Sequence, residues 1–361
     1  MWILSLLLSV AYARLGVSQD TSELFSTDSS SNLCAIALEE SQGIVDLVEV
    51  ALDETLSQDF RSNDKYPRVL CMVNTVSTRH NTKAQAIAET WGQRCTKLVF
   101  FSNTSDTIVV AAGSKAEYRF DVISVDVPAG KDHTWQIQKA RLEYVYTHFR
   151  NDFDWFYKAD DDAYVIMENL HNYLKRPEIL DKTLQEPMQL GHRFSLPDEF
   201  LPFYIKNDTL ASLWLSTWDH LIYSSGGPGY AINALYLDQL VKSMIKPTCL
   251  PDSNVPIDLA IAFCMTWNGV SPWNTRDHDG HDRWHAVSPG DDFITPVYWF
   301  QMYRQHVGGV HAMLERPAPD SVAFHYISPE LMHHIDRSLY RCRENSQDIT
   351  SFGLDGQVMI S

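Results

Sequence analysis

The chain has 361 residues, of which 45% are hydrophobic, and a formal net charge of −17. This length and apolar content suffice to bury a large core, as one sizeable domain or two small ones. Nucleic-acid binding needs a basic face, so the acidic charge argues against nucleic acid as a partner. The same charge means that an anionic ligand would have to be held by a local cation.

The first 13 residues resemble a secretory leader. They form an apolar run of signal-peptide length that ends in an A-x-A-like cleavage site, Ala11-Tyr12-Ala13. No basic residue precedes the run, and a short uncleaved membrane anchor is the alternative. Residues 14–64 are polar and predict a stem with little fold of its own. We expect the folded domain over residues 65–342 and a tail over residues 343–361.

Sequons and cysteines agree with the secretory pathway. Glycosylation sequons begin at Asn103 and Asn207. The cysteines form an even set that suits an oxidising lumen, and no CxxC motif suggests zinc. They are residues 34, 71, 95, 249, 264 and 342.

Strand and helix patterns alternate from Tyr66 onward, which predicts an α/β fold with a mostly parallel central sheet flanked by helices. Ligands of such folds bind beyond the carboxyl ends of the strands, where Thr75 and three consecutive aspartates are predicted to lie. The predicted elements are the strand Arg68–Thr75, the helix Lys83–Trp91, the strands Lys97–Phe101 and Phe120–Val127, the helix Trp135–Phe149 and a strand from Trp155.

The stretch Asp154–Leu170 carries the strongest functional signal. An aromatic strand pattern runs into Asp160, Asp161 and Asp162, and helical spacing then extends over Ala163–Leu174. Clustered carboxylates repel each other and are costly to bury unless they are paired or metal-bound. Alternate carboxylates can converge on a hard cation such as Mg²⁺ or Mn²⁺. The structural alternative is a solvated acidic turn that caps the next helix.

The pattern is looser beyond Pro177. The predicted elements are a short strand Leu190–Phe194, an irregular aromatic segment Ser195–Asp219, a glycine-rich loop Tyr223–Tyr230, a helix Asn233–Ile245, a helix opened by Pro256 as its first residue, and a strand Val322–Ile327. Glycines in the loop permit close backbone approach to a ligand, although a tight turn would need them too. The histidine-rich segment Trp273–Pro289 matches no metal-site template and predicts a solvated loop.

Several segments, in the same order, resemble the core 1 β1,3-galactosyltransferases of the fringe-related glycosyltransferase family 31. The segments are RVLCMVNT, ETWGQRC, TWQIQKARLEYVYTHF, DWFYKADDDAYVIMENL, LGHRF, YSSGGPGYAI, IDLAIAFCM, TRDHDG, WHAVSP and VAFHY. The resemblance implies a GT-A fold, Mn²⁺ as cofactor and UDP-galactose as donor. It also implies a GalNAc-bearing glycoprotein as acceptor and a place in the Golgi lumen; a homodimer is left open.

The resemblance assigns roles to individual residues. Asp160, Asp162 and His325 map to the metal ligands, and Asp258 maps to the catalytic base. The chemistry agrees, because inversion by single displacement needs one carboxylate to take the acceptor hydroxyl's proton. The structural alternative is that Asp258 only places a negative charge in the first turn of a helix, where the helix dipole favours it. The residues implied at the nucleotide are Thr75, Asp132, Lys139, Asp160 and Asp161, and those at the acceptor are Trp299 and Tyr230.

The surroundings of the predicted base depart from the family pattern. Ile257, Ala262 and Phe263 stand where the family has Glu, Gly and Arg. The alternative function is therefore a catalytically inactive paralogue that acts as a chaperone or glycan-binding partner. A third hypothesis, a glycoside hydrolase, would need two carboxylates that flank the glycosidic bond and no nucleotide metal site. The cluster of three aspartates does not suit that chemistry.

Two disulfides are predicted around these elements. Cys71 in the first strand is expected to pair with Cys95 after the first helix, and Cys249 with Cys264 around the segment that carries the predicted base. Closing each loop is worth roughly 3 kcal/mol in the chain-entropy model. The two remaining cysteines would pair with each other or stay free.

Overall fold

A computed structural model describes residues 66–112, 116–128, 130, 133–205, 208–250, 255–288, 298–309 and 317–340. The predicted leader, stem and tail lie outside the described residues, as do Asp132, Asn207 and cysteines 34 and 342. Among the helices that are described, none has the length and apolar character needed to cross a membrane.

The central sheet has the spatial order β3-β4-β2-β1-β5-β10-β7. Strands β4, β2, β1 and β5 are parallel, while β3 and β10 run in the opposite direction to their neighbours. The predicted mostly parallel α/β sheet is thereby confirmed, and its architecture is GT-A-like. In chain order the strands are β1 (Val69–Asn74), β2 (Lys97–Ser102), β3 (Asp106–Ala112), β4 (Ala116–Ser124), β5 (Trp155–Asp160), β6 (Tyr164–Val165), β7 (Gln189–Gly191), β8 (Arg193–Leu196), β9 (Leu221–Ser224), β10 (Tyr230–Asn233), β11 (Trp284–His285) and β12 (Ala323–Phe324).

Helices flank the sheet, and two small sheets, β11-β12-β6 and β8-β9, lie beside it. A single π-helical turn, His80–Ala84, precedes the first α-helix, so the predicted helix Lys83–Trp91 is shorter than expected. The α-helices are α1 (Gln85–Glu89), α2 (Thr134–Phe149), α3 (Met167–Leu174), α4 (Pro177–Thr183), α5 (Leu201–Tyr204), α6 (Asp208–Thr217), α7 (Ala234–Ser243), α8 (Ile257–Thr266), α9 (Tyr298–Arg304) and α10 (Pro329–Tyr340).

Alternation along the central strands builds a core on each face of the sheet. In β1, Val69, Cys71 and Val73 belong to one buried cluster, and Leu70 and Met72 belong to the other. Both faces are covered because parallel central strands are buried on both sides. The carboxyl ends of β1 and β5 consequently open on the same edge.

The segment after the three aspartates was predicted wrongly. Tyr164 and Val165 form strand β6 rather than a helical turn, because they pair with β12 from late in the chain. Helix α3 begins only at Met167, and its N-cap residue Ile166 makes no side-chain capping bond. The aspartates therefore do not cap this helix, and the capping alternative is excluded.

Four other element predictions were wrong in part. The predicted solvated loop Trp273–Pro289 contains strand β11, and residues 283–286 are buried. The irregular segment Ser195–Asp219 contains helices α5 and α6, because Leu201 and Trp214 are buried in the second core. The predicted strand Leu190–Phe194 is two strands in different sheets, β7 and β8. Strand β4 starts earlier than predicted, and its antiparallel partner β3 was missed although buried Ile108 and Val110 alternate with exposed neighbours.

Both predicted disulfides are present. Cys71 on β1 is bonded to Cys95, with Cα atoms 6.0 Å apart. Cys249 is bonded to Cys264 on α8, with Cα atoms 4.3 Å apart. The second bond ties α8 to the turn that follows α7.

Candidate active site

The three aspartates at the end of β5 have different surroundings. The side chain of Asp161 is almost fully buried, and it accepts hydrogen bonds from Thr75 Oγ1 at 2.9 Å and Arg79 Nη1 at 3.0 Å. The side chains of Asp160 and Asp162 are 41% and 22% exposed. The alternate pair therefore faces the open edge of the sheet, while the middle carboxylate faces the protein.

Burial and neighbouring cations shift the pKa values of two aspartates in opposite directions. Burial raises the pKa of Asp161 above the usual aspartate value, although Thr75 and Arg79 oppose the rise. Burial acts in the same direction on Asp162, but hydrogen bonds from His325 and Lys83 outweigh it and hold its pKa well below the usual value. Of these two aspartates, Asp162 is therefore the one that stays charged more readily.

Asp162 and His325 form a donor pair suited to a metal ion. Oδ1 of Asp162 lies 3.2 Å from Nε2 of His325. The ring's Nδ1 lies 3.1 Å from the carbonyl oxygen of Ala286, which can only accept, so Nδ1 carries a proton. Nε2 is thereby directed at the carboxylate, and a ring orientation fixed in this way is typical of metal-binding histidines.

Backbone pairing brings His325 to this edge from the end of the described chain. Strand β12 pairs with β6, and the N–H of Ile327 donates to the carbonyl of Asp162 at 2.9 Å. Asp160 lies two residues from Asp162 on the same strand end. Two carboxylates and one imidazole are ligand types that suit a divalent cation such as Mn²⁺, but Asp160, Asp162 and His325 do not bring one ligand atom each within 4.8 Å of one another in this structure.

Two lysines, which we did not single out from the sequence, neutralise these carboxylates. Nζ of Lys83 lies 2.9 Å from Oδ2 of Asp162, and Nζ of Lys158 lies 2.8 Å from Oδ1 of Asp160. Lys158 had a detectable signal, because residues two apart on a strand face the same side. Lys83 had none in the local sequence, since it comes from the π-helical turn after β1.

Asp258 lies in the first turn of α8, and its Oδ2 accepts a hydrogen bond from the N–H of Gly226 at 2.9 Å. Burial raises the pKa of Asp258, attraction to Lys158 opposes this rise, and repulsion from Asp160 adds to it. The carboxylate is thus held close enough to Asp160 to interact with it electrostatically. It is also easier to protonate than an ordinary aspartate.

The glycine-rich loop joins the predicted base to the predicted metal ligands. The carbonyl of Gly226 accepts from Lys158 Nζ at 2.9 Å. A Cβ on Gly226 would lie 2.4 Å from Asp258 Oδ1, and one on Gly227 would lie 2.2 Å from the His325 ring. The glycines therefore serve close approach, as the sequence suggested, but the approach in this structure is to the protein's own side chains.

The residues predicted to bind the nucleotide and the acceptor differ in their exposure. Thr75 is buried at the end of β1, against Asp161. Lys139 lies on α2, with Nζ 6.0 Å from the centroid of the Trp135 ring. Trp299 on α9 is 47% exposed beside Phe194, whereas Tyr230 is only 2% exposed. These nucleotide and acceptor roles stay predictions.

The histidine-rich segment also contains three side chains that could bind a metal ion, which the sequence pattern did not predict. Asp277, Asp279 and His281 place one ligand atom each within 4.8 Å of one another. Asp277, however, already accepts from the N–H groups of Asp279 and His281, at 3.0 and 2.7 Å. These bonds shape the turn, so the group has a structural explanation.

The sequon residue Asn103 is exposed, and its Oδ1 accepts a hydrogen bond from the N–H of Ser77 at 2.8 Å. Its glycosylation stays a prediction.

Comparison with known proteins points to one family. The model of the family described as "Fringe-like" matches residues 65–277. The chain is 27% identical over 299 residues to glycoprotein-N-acetylgalactosamine 3-beta-galactosyltransferase 1 of Xenopus laevis, an alignment covering 81% of this chain and 70% of that protein. The matched region includes strand β5 with the aspartates at its end, the glycine-rich loop and helix α8.

Proposed function

Because the chain belongs to the Fringe-like family, we propose that it is an inverting β1,3-galactosyltransferase. Its donor is UDP-galactose, and its acceptor is the 3-hydroxyl of GalNAc linked to Ser or Thr of a glycoprotein. The product is the core 1 O-glycan. We propose Mn²⁺ as the cofactor and the Golgi lumen as the compartment.

The observation that best supports the proposal is that the glycine-rich loop contacts both the predicted base and the predicted metal ligands. Gly226 donates to Asp258, its neighbour Gly227 packs on His325, and Lys158 links the carbonyl of Gly226 to Asp160. A base beside a metal–diphosphate site is what a single displacement at a sugar carbon requires.

The residues divide the work of the reaction. Mn²⁺ bound by Asp160, Asp162 and His325 would neutralise the charge on the leaving diphosphate. Asp258 takes the proton of the acceptor 3-hydroxyl, and its raised pKa makes it a stronger proton acceptor than an exposed aspartate. Asp161 acts indirectly, by holding Thr75 and Arg79 in place.

The test is galactose transfer to a GalNAc-Ser/Thr peptide with Mn²⁺, comparing UDP-galactose with UDP-GalNAc and UDP-GlcNAc. Asp258→Asn should lower the rate by about 10²–10⁴-fold, the range for loss of a general base, while UDP binding persists. Asp181→Asn is the matched control, since Asp181 is exposed on α4. Normal transfer by Asp258→Asn would exclude Asp258 as the base.

The alternative is an inactive paralogue that acts as a chaperone or glycan-binding partner, and Ile257 favours it. This partly buried residue packs against the second core where the resembled family has an acid. A wild-type protein that binds UDP-galactose and Mn²⁺ yet transfers to no GalNAc acceptor would establish this alternative. Activation by Ile257→Glu would then locate the defect.

A further inference from the structure

Arg141 on α2 carries a charge that its surroundings do not neutralise. Its Nη1 donates to Oδ1 of Asn74 at 2.8 Å, and its Nε is buried without a hydrogen-bond partner. Asn74 is neutral, so this bond leaves the positive charge uncompensated. Burial lowers the pKa of Arg141 to about 10, and the attraction of Asp160 offsets only part of that effect.

Among the described residues, the other basic side chains around the aspartates are already engaged. Lys83 pairs with Asp162 and Lys158 with Asp160, each within 3 Å. Arg79 pairs with Asp161. Arg141 differs because its direct partner is an amide rather than a carboxylate. An anion placed beside it would add a direct charge-assisted contact to the weaker attraction that Asp160 and the Phe101 ring supply.

The position of Arg141 is the edge where the sheet opens. Asn74 is the last residue of β1 and is paired in register with Asp160 on β5. On the same helix, Nε1 of Trp135 and Oε1 of Gln138 are also buried without a hydrogen-bond partner among the described residues, and these two residues are only 0% and 3% exposed. Polar atoms left unpaired on successive turns of one helix are costly, and they mark a surface shaped for a polar ligand.

We propose that Arg141 binds the diphosphate of the nucleoside-diphosphate donor, with its guanidinium supplying positive charge from the α2 side of the site. This inference rests on the proposed function. An arginine suits the task because its planar fork binds two phosphate oxygens at once. The net charge of −17 makes such a local cation necessary for an anionic donor.

The experiment measures UDP and pyrophosphate affinity by calorimetry in the presence of Mn²⁺. Arg141→Gln keeps a donor for Asn74 but removes the charge, and Arg141→Lys keeps the charge but not the fork. Loss of a charge-assisted bond should weaken both ligands by about 10- to 100-fold in Arg141→Gln, with a smaller loss in Arg141→Lys. Arg119→Gln is the charge-matched control, on the edge strand pair.

The outcomes separate this inference from the proposed function. If the wild type binds no UDP with Mn²⁺, the proposed function itself fails. If the wild type binds and Arg141→Gln binds both ligands equally well, Arg141 has only a structural role and the inference is wrong. If Arg141→Gln loses UDP but keeps pyrophosphate affinity, the residue contacts the nucleoside and the diphosphate assignment is wrong. A melting temperature matching that of the control shows that the variant is folded.

Discussion

Replacing Gly226 by alanine is expected to displace the predicted base and to lower galactose transfer by about 100-fold. The new Cβ would lie 2.4 Å from Asp258 Oδ1, where ordinary van der Waals contact begins at 3.4 Å. The carboxylate must therefore retreat by about 1 Å, and a misplacement of about 1 Å can cost on the order of 10²-fold in rate. Gly226 does not have a positive φ, so the effect comes from the methyl group rather than from backbone strain.

The matched control is alanine at the next residue. A Cβ on Gly227 would lie 2.2 Å from the His325 ring, and Gly227 has no positive φ either. Gly227→Ala should therefore weaken Mn²⁺-dependent UDP binding, because it moves a predicted metal ligand. The two variants carry the same substitution in one loop and should lose different properties.

The assay combines calorimetry of UDP with and without Mn²⁺, initial transfer rates and thermal melting of both variants. Gly226→Ala should lose more in turnover than in UDP binding, with a smaller effect on binding because its Cβ would also lie 2.8 Å from Nζ of Lys158, the partner of Asp160. Gly227→Ala should fail in binding. Wild-type turnover by Gly226→Ala would show that the carboxylate position is not set by this loop. An identical loss in both variants would mean that the loop acts on stability alone.

Other predictions address the metal, the base and the second disulfide. Asp162→Ala should abolish the Mn²⁺ dependence of UDP binding; an equal affinity of the wild type with and without Mn²⁺ would contradict this. Burial raises the pKa of Asp258. The contribution of Asp258 to the free energy of unfolding is therefore largest at low pH and decreases as the pH rises through the folded-state pKa. Asp258→Asn should therefore melt no lower than the wild type at neutral pH, and a lower melting temperature would contradict this reasoning. Serine at Cys249 and Cys264 should reduce the free energy of unfolding by about 3 kcal/mol, measured by denaturant titration, and an unchanged value would exclude the entropic account.

Local patterns predicted the parallel strands of the sheet, because these central strands are nearly continuous apolar runs, but the antiparallel strands β3 and β10 were missed. The strand at Trp155 and the long helix α2 both have strong local signals, and they lie within a residue or two of the prediction. The failure at β6 has a clear cause. Tyr164 and Val165 have helical spacing with their neighbours, but a partner strand from residues 323–324 decides their conformation. No local window contains that information.

The predicted site shows the same limit. The carboxylates of Asp160 and Asp162 are visible in the sequence because three aspartates after a buried strand are unusual. Lys83 was missed since its pairing with Asp162 depends on how the turn after β1 folds back. Arg141 looks like an ordinary helix residue until its neighbour at the end of β1 is known. The family resemblance supplied the roles of Asp258 and His325, which spacing alone did not single out.

The late position of His325 in the chain has a consequence for biosynthesis. Every strand of the central sheet lies between residues 69 and 233, so the sheet can form before α8 and β12 leave the ribosome. A nascent chain at that stage would expose its aspartate cluster without its histidine, and Lys83 and Lys158 would be the charges available to hold it. A product truncated ahead of Val322 would lack a predicted metal ligand together with the part of the first core that β12 and α10 supply. If His325 binds the proposed cation, cation supply would act on the docking of the C-terminal segment.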